Sequence, residues 1–168
     1  MSKIASSCFC SEIDRLEAEN MELTIIANVD QLTTLFNRSR YDKDIIRYVW
    51  EMEKGKKARE NRKPISAIFM DIDNFGPFND YGHDIGDKAL RTIGTIIRSE
   101  TGNCGKAYRY GGEEIIVLMP NTYRDEACQL AERIRRAVEK QIFKFVTKEG
   151  EVKRETLTVS AGVASIGE

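Results

Sequence analysis

Residues 110–115, Tyr110-Gly111-Gly112-Glu113-Glu114-Ile115, decide how this chain is interpreted. They lie between two apolar segments, 107–108 and 115–119, that are typical of strands. Two glycines between strands predict a tight hairpin, because glycine tolerates the positive φ that two-residue hairpin turns require. Two carboxylates directly after the turn repel each other and add nothing to a core. The tip is therefore either a solvated turn or a place that attracts a cation or a charged ligand.

Composition indicates an ordinary globular protein. The 168 residues are 41% hydrophobic and 32% charged, which fits one domain, or one domain with an appendage. A net charge of −1 gives no support for binding to nucleic acid or membranes. No apolar run approaches the ~20 residues that span a bilayer. Cys8 and Cys10 could bind a metal together, but the four cysteines lack paired metal-ligand spacing, and reduced thiols in a cytoplasmic protein are expected.

The first half of the chain is predicted to be mainly helical. Apolar residues at 3-4 spacing predict a helix over residues 11–29, with Asn20 in the apolar seam. A lone Asn in such a seam fixes the register of two-stranded coiled coils. The helix therefore either forms a dimer contact or packs on its own domain. A second helix is expected over 38–52, followed by a solvated loop rich in Lys and Arg over 53–63.

The second half alternates between strands and helices. Residues 65–70 are apolar on both faces, as in a central strand covered on two sides, and the strand ends at Asp71. The element order predicts an α/β sandwich with an antiparallel component. The further helices are expected over 87–99 and 123–140, and the further strands over 142–147 and 157–163, separated by a polar turn at 148–150.

The carboxylates of the strand end and the hairpin tip form one candidate site. Asp71 can meet Glu113 and Glu114 if strand and hairpin are neighbours in the sheet. Taken singly, these residues are typical of a strand end and a solvated turn. Taken together they favour a hard divalent cation, most simply Mg²⁺, with the backbone carbonyl of Ile72 as an additional ligand.

Motifs along the chain, in order, resemble the GGDEF family of diguanylate cyclases, here with the variant signature Gly-Gly-Glu-Glu-Ile. Residues 30–38 are similar to the family's opening motif, Asp-x-Leu-Thr-x-Leu-x-Asn-Arg. Residues 71–75 are similar to its metal strand. The resemblance extends from residue 30 to residue 164. The other matching segments are the base-binding residues 79–80, 82–83 and 86–87, the pair 109–110 before the signature, and the late strand 158–163.

The resemblance implies a palm-like α+β fold, with a mostly antiparallel central sheet flanked by helices and preceded by an N-terminal helix. Residues 1–29 would be a helical linker or dimer coil, and residues 30–168 the GGDEF domain. The reaction would join two GTP into cyclic di-GMP, with release of two pyrophosphates, across a homodimer. By similarity Asp71, Ile72 and Glu113 hold Mg²⁺, with Mn²⁺ as the alternative ion. Glu113 is the first candidate for accepting the 3′-hydroxyl proton, and Glu114 the second.

The resemblance also implies a set of substrate-binding residues. Asp87 would accept the two N–H donors of guanine, and Asn79 would bind the remaining edge of the base. From its position alone, Asp87 is equally suited to cap the helix that follows it. His83 would fix the loop or touch substrate rather than act as a base. Phe75 completes the set, together with Gly111 and Gly112, which would let phosphates approach the backbone.

Three features depart from the family pattern. Gly76 stands where the family usually has a Lys that contacts the triphosphate, and one residue is missing between Asp80 and Gly82. The chain stops at Glu168, before the family's next helix and last strand, so fewer cations would bind phosphate. The family's product-inhibition motif, Arg-x-x-Asp, is replaced by residues 102–105, GNCG, and feedback inhibition through that site is not expected.

Two functional hypotheses follow. The first is an active cyclase, controlled by an upstream sensor or a partner protein. The alternative is a catalytically impaired module that binds GTP and acts as a regulatory or dimerisation unit. A related enzyme that makes a mixed or linear dinucleotide is disfavoured, because Asp87 selects guanine.

Overall fold

The structure, a computed structural model, describes residues 2–54, 64–147 and 150–167. These residues form five helices and seven strands. The helices are α1 (Ser2–Asn28), α2 (Arg38–Lys54), α3 (Phe75–Asn79), α4 (His83–Thr101) and α5 (Arg124–Glu139). The strands are β1 (Phe36–Asn37), β2 (Ile65–Ile72), β3 (Lys106–Arg109), β4 (Glu114–Pro120), β5 (Ile142–Val146), β6 (Val152–Thr156) and β7 (Val159–Ile166).

Five strands form the central sheet, in the order β1-β3-β4-β2-β7. The short β1 pairs with β3 in parallel, and the other three pairs are antiparallel. Strands β5 and β6 form a separate two-stranded hairpin. The predicted α+β fold with a mostly antiparallel sheet is confirmed.

Strand β2 lies inside the sheet; one of its faces is buried, as its apolar sequence predicts, whereas the other is only partly covered and leaves Phe69 42% exposed. Ile68, Met70 and Ile72 face the main core, which contains the apolar sides of α4 and α5. The opposite face carries a smaller cluster around Tyr108, against which the aromatic side of α2 packs. Side chains at alternate positions of β2 therefore belong to different layers.

Several elements differ from prediction: α2 continues to Lys54, α4 ends at Thr101 rather than at 99, β7 covers Val159–Ile166 rather than 157–163, and the short α3 and β1 were not predicted. Helix α4 begins at His83 rather than at 87, because Gly82 starts the first turn through its carbonyl, which accepts the N–H groups of Ile85 and Gly86 at 3.0 and 3.1 Å. Strand β6 was not predicted, because its sequence, VKRET, is polar and it pairs only with β5. Residues 53 and 54 of the loop predicted over 53–63 belong to α2. Residues 55–63 of that loop, residues 148 and 149 of the predicted turn, and the side chains of Cys8 and Cys10 lie outside the described residues.

Helix α1 confirms the helix predicted near the N-terminus and extends it to Ser2. The seam residues Leu16 and Leu23 are 47% and 57% exposed, so they do not pack on their own domain. Met21 and Ile26 are exposed as well. Within the described residues, no helix has both the length and the apolarity needed to cross a bilayer.

A buried carboxylate joins α2 to the sheet. Asp44 is 3% exposed and accepts hydrogen bonds from Arg40 Nε at 3.0 Å, Lys106 Nζ at 3.1 Å and Tyr108 Oη at 2.9 Å. Arg47 Nη2 lies 3.2 Å from its other oxygen. Burial alone would raise the pKa of Asp44, but the hydrogen bonds from Arg40, Tyr108 and Lys106 outweigh it and hold the pKa below its usual value.

We expect Asp44→Ala to lower the free energy of unfolding by about 3–5 kcal/mol, because breaking a buried ion pair leaves the partner charges uncompensated. Urea denaturation followed by circular dichroism measures this. Arg47→Ala is the matched control: its side chain is 47% exposed, so its loss should cost no more than about 1 kcal/mol. Equal stability of the two variants would contradict the assigned role of Asp44.

Candidate active site

The sheet brings the predicted carboxylates together. Asp71 lies directly opposite Glu114 in the antiparallel ladder of β2 and β4, and Glu113 immediately precedes β4. Residues directly opposite each other in such a ladder place their side chains on the same face. That face is the one covered further along by α2, since Ile116 belongs to the cluster around Tyr108. All three carboxylate residues are partly buried.

These carboxylates have no cationic partner among the described residues. The ion pairs found there involve other acids, and Asp71, Glu113 and Glu114 take part in none. The neighbouring Asp73 is different, because its oxygens accept hydrogen bonds from Thr158 Oγ1 at 2.5 Å and Ser160 Oγ at 2.6 Å. The hydroxyls of Ser160 and Thr158 hold the pKa of Asp73 below its usual value.

The donor set fits a hard cation that keeps other ligands. Within the described ranges, no three Asp, Glu, His or Cys side chains form a metal-binding group. Two carboxylates and a carbonyl nevertheless suit Mg²⁺, which usually retains waters or phosphate oxygens in its remaining positions. Ile72 has a hydrocarbon side chain, which is buried in the core at 1% exposure. Its backbone carbonyl is therefore the group that could serve as a ligand.

The signature turn differs from the predicted two-residue hairpin. Neither Gly111 nor Gly112 has a φ between +20° and +160°, so the prediction of positive φ at both is wrong. Four residues, 110–113, separate β3 from β4, and the Glu114 carbonyl accepts the N–H groups of Tyr110 and Gly111 at 2.8 and 3.3 Å. A Cβ at 111 would lie 2.1 Å from Glu114 Oε2, the end of a flexible side chain, so a larger residue there would displace this carboxylate; among the described residues, a Cβ at 112 would meet nothing within 4 Å.

Arg109 holds the signature turn to the segment that follows α1. Its Nε and Nη2 donate to the Gly112 carbonyl at 3.1 and 2.8 Å, and its Nη1 lies 3.2 Å from both carboxylate oxygens of Asp30. Asp30 also accepts the N–H and hydroxyl of Thr33 at 2.8 and 2.7 Å. Burial would raise the pKa of Asp30, but the bonds from Thr33 and Arg109 outweigh it and lower the pKa. Asp30 and Arg109 both lie in segments that resemble family motifs, but their contact with each other was not predicted.

The predicted base-binding residues lie close together. Asn79 ends α3, and its side chain lies against Gly86: a Cβ at 86 would be 1.7 Å from Asn79 Oδ1. Asp87 follows Gly86 inside α4, where its carboxylate is 48% exposed and 3.8 Å from Arg91 Nη2. The N-cap of α4 is Gly82, so the alternative that Asp87 caps the helix is wrong.

The other predicted substrate residues occupy different surroundings. Phe75 is 3% exposed and stacks on Phe78 with ring centroids 6.2 Å apart, so it supports α3 from the core. His83 is exposed at the start of α4 and lines an open cavity of about 510 Å³ with Tyr81 and Thr147.

The segment that replaces the product-inhibition motif has little room for a side chain. A Cβ at Gly105 would lie 2.5 Å from the Leu118 carbonyl oxygen. An aspartate at this position would therefore require the backbone of β4 to move.

Comparison with known proteins supports the resemblance to the GGDEF family. The family model "Diguanylate cyclase, GGDEF domain" matches residues 27–168. Diguanylate cyclase A of Treponema denticola is 43% identical over 107 residues, which cover 63% of this chain and 28% of that protein. The chain thus spans less than a third of the length of this curated relative.

Two solved structures are similar over most of the chain. The coiled coil and GGDEF domain of DgcB from Caulobacter crescentus, in complex with c-di-GMP, is 28% identical. It matches with a TM-score of 0.82, over 99% of this chain and 82% of that one. The active GGEEF domain of a diguanylate cyclase from Vibrio cholerae is 31% identical, with a TM-score of 0.59 over 73% of each chain. This chain belongs to the GGDEF family of diguanylate cyclases.

Proposed function

We propose that the protein is a Mg²⁺-dependent diguanylate cyclase that acts as a cytoplasmic homodimer and converts two GTP into cyclic di-GMP and two pyrophosphates. The observation that carries this proposal is the group of partly buried carboxylates at the junction of β2 and β4. Asp71, Glu113 and Glu114 have no cationic partner among the described residues, although Asp30 and Asp44 nearby bind cations and Asp73 accepts hydrogen bonds from two hydroxyls. Unpaired, partly buried carboxylates favour a site that a cation completes.

The chemistry assigned to these residues is a phosphoryl transfer. The 3′-hydroxyl oxygen of one GTP forms a bond to the α-phosphorus of the other, and the bond from that phosphorus to pyrophosphate breaks. The hydroxyl proton passes to Glu113, with Glu114 as the second candidate. Asp71, the Ile72 carbonyl and Glu113 would hold Mg²⁺, which when bound screens the charge of the triphosphate. The same step, repeated in the opposite direction, closes the ring.

Guanine selection is assigned to Asn79 and Asp87. The Asp87 carboxylate can accept the N1–H and N2–H donors together, and the Asn79 amide offers both a donor and an acceptor to the remaining edge. Adenine would leave these groups unpaired, which a partly buried site penalises. The packing of Asn79 on Gly86, next to Asp87, supports this assignment.

Dimerisation is assigned to α1. Each protomer would bind one GTP, so the reaction requires two protomers that face each other. The exposed seam of α1, with Leu16 and Leu23, offers an apolar stripe at coiled-coil spacing. Asn20 within the seam would fix the register.

The main test is incubation with GTP and Mg²⁺, followed by chromatography of the nucleotides. We expect cyclic di-GMP and two equivalents of pyrophosphate, and a loss of about a hundredfold or more in rate for Asp71→Asn and Glu113→Gln. Glu139→Gln is the matched control, because this glutamate lies on α5, away from the carboxylate group, and within the described part of the chain its one ion pair is with Arg135. Unchanged product formation in the Asp71 and Glu113 variants would refute the assigned chemistry.

A second candidate function is a GTP-binding module without turnover. The observation that favours it is Gly76, where the family usually has a lysine. A Cβ at Gly76 would meet nothing within 4 Å, so a longer side chain can be introduced without a clash.

We expect Gly76→Lys to bind GTP several-fold more tightly than Gly76→Met, because only the lysine adds a cation for the triphosphate. Calorimetric titration of both variants measures this difference. If the lysine variant gains affinity and forms product where the natural protein forms none, the natural protein is the impaired module. Equal affinity of the two variants would show that position 76 does not contact phosphate.

Gly86→Ala tests the base site without touching a proposed ligand group. The new Cβ would displace the Asn79 side chain, whose flexible end can move at small cost to stability. We expect the preference for GTP over ATP to fall by about tenfold, with the melting temperature nearly unchanged. Competition binding with both nucleotides measures the preference. Full retention of guanine preference would show that Asn79 does not read the base from this position.

A further inference from the structure

Arg38, at the start of α2, is held beside the signature turn by an aromatic ring. Its guanidinium carbon lies 4.4 Å from the centroid of Tyr110, the residue before Gly111. The Tyr110 ring is itself fixed edge-on against Tyr41 and Phe69, with centroids 5.5 and 6.1 Å away. Stacking on a fixed ring orients a guanidinium without neutralising it.

Arg38 lies on the face of the sheet that carries the candidate carboxylates. Phe69, which contacts Tyr110, is two residues before Asp71 on β2. The two side chains therefore project from the same face, about 7 Å apart along the strand. Glu114 is opposite Asp71 on that face.

The other basic residues near this turn are engaged. Arg40 and Lys106 bind the buried Asp44, and Arg109 binds Asp30 and the Gly112 carbonyl. Arg38 has neither a hydrogen bond nor an ion pair with any residue that the structure describes; its recorded contact is the Tyr110 ring. Of these four cations, it alone keeps its charge free for a ligand.

We propose that Arg38 binds the phosphate chain of the nucleotide and supplies there a cation that Gly76 does not. This inference rests on the proposed function, because it needs GTP at the carboxylate site. A triphosphate brought next to three carboxylates requires positive charge beyond a single divalent ion. The planar guanidinium matches two phosphate oxygens at once, and exposure on the site face leaves its five N–H donors available.

The test is calorimetric binding, with Mg²⁺, of a GTP analogue that carries a methylene between its α- and β-phosphorus atoms. The methylene prevents release of pyrophosphate, so binding is measured without turnover. We expect Arg38→Ala to weaken binding of the analogue by about tenfold, and Arg38→Lys to restore part of the loss. Competition by guanosine, which has no phosphate, should change by less than about twofold. Arg98→Ala is the matched control, since Arg98 is exposed on α4 and its guanidinium, among the described residues, donates to Thr34 Oγ1 alone at 3.2 Å.

The outcomes separate this inference from the proposed function. If the natural protein binds the analogue and Arg38→Ala binds it equally well, Arg38 is not a phosphate ligand. Equal weakening of guanosine and of the analogue, with a lower melting temperature, would show that Arg38 only supports Tyr110 and would likewise overturn the inference. A natural protein that binds no guanine nucleotide would overturn the proposed function together with this one.

Discussion

The register between β2 and β4 is the constraint on which the site depends. Met70 lies opposite Ile115 in the main core, and the next pair along the ladder is Asp71 with Glu114 on the other face. A slip of one residue would turn every side chain of β2 to the opposite face, burying Asp71 and exposing Met70. Burial of an unpaired carboxylate is costly, so Asp71 favours the register that keeps it out of the main core. The position of the carboxylates is thus a consequence of how the core packs.

Strand β3 is connected to the rest of the domain by ion pairs as well as by its hydrogen bonds within the sheet. It is four residues long, and basic side chains at its two ends bind acids from elsewhere: Lys106 binds Asp44 of α2, and Arg109 binds Asp30 after α1. Because Arg109 also donates hydrogen bonds to the Gly112 carbonyl, this one side chain connects the signature turn to the segment that follows α1 and is in contact with both.

The sequence predicted those features that depend on local pattern. The apolar run of β2 and the apolar stripe of α5 were sufficient to predict these two elements, because the spacing of apolar residues in the sequence matches the period of a strand or a helix. The start of α4 could not be predicted from such a pattern, because its first turn relies on the backbone carbonyl of Gly82. The expectation of a positive φ at Gly111 was wrong: this residue lies instead in close contact with the Glu114 carboxylate. The bond between Asp30 and Arg109 joins residues 79 apart in sequence, and no local pattern could pair them.

The acids around the site fall into two groups, those with hydrogen-bond or ion-pair partners and those without. Asp30, Asp44 and Asp73 are satisfied by cations or hydroxyls, whereas Asp71 and the two signature glutamates are not. A shortage of positive charge does not explain this, because Arg38 lies on the same face and rests on Tyr110 instead. Leaving like charges together lowers stability, so such an arrangement persists where a ligand relieves it. The proposed metal-bound triphosphate would bring both the cation for the acids and the anion for Arg38, and it would complete both halves of the site at once.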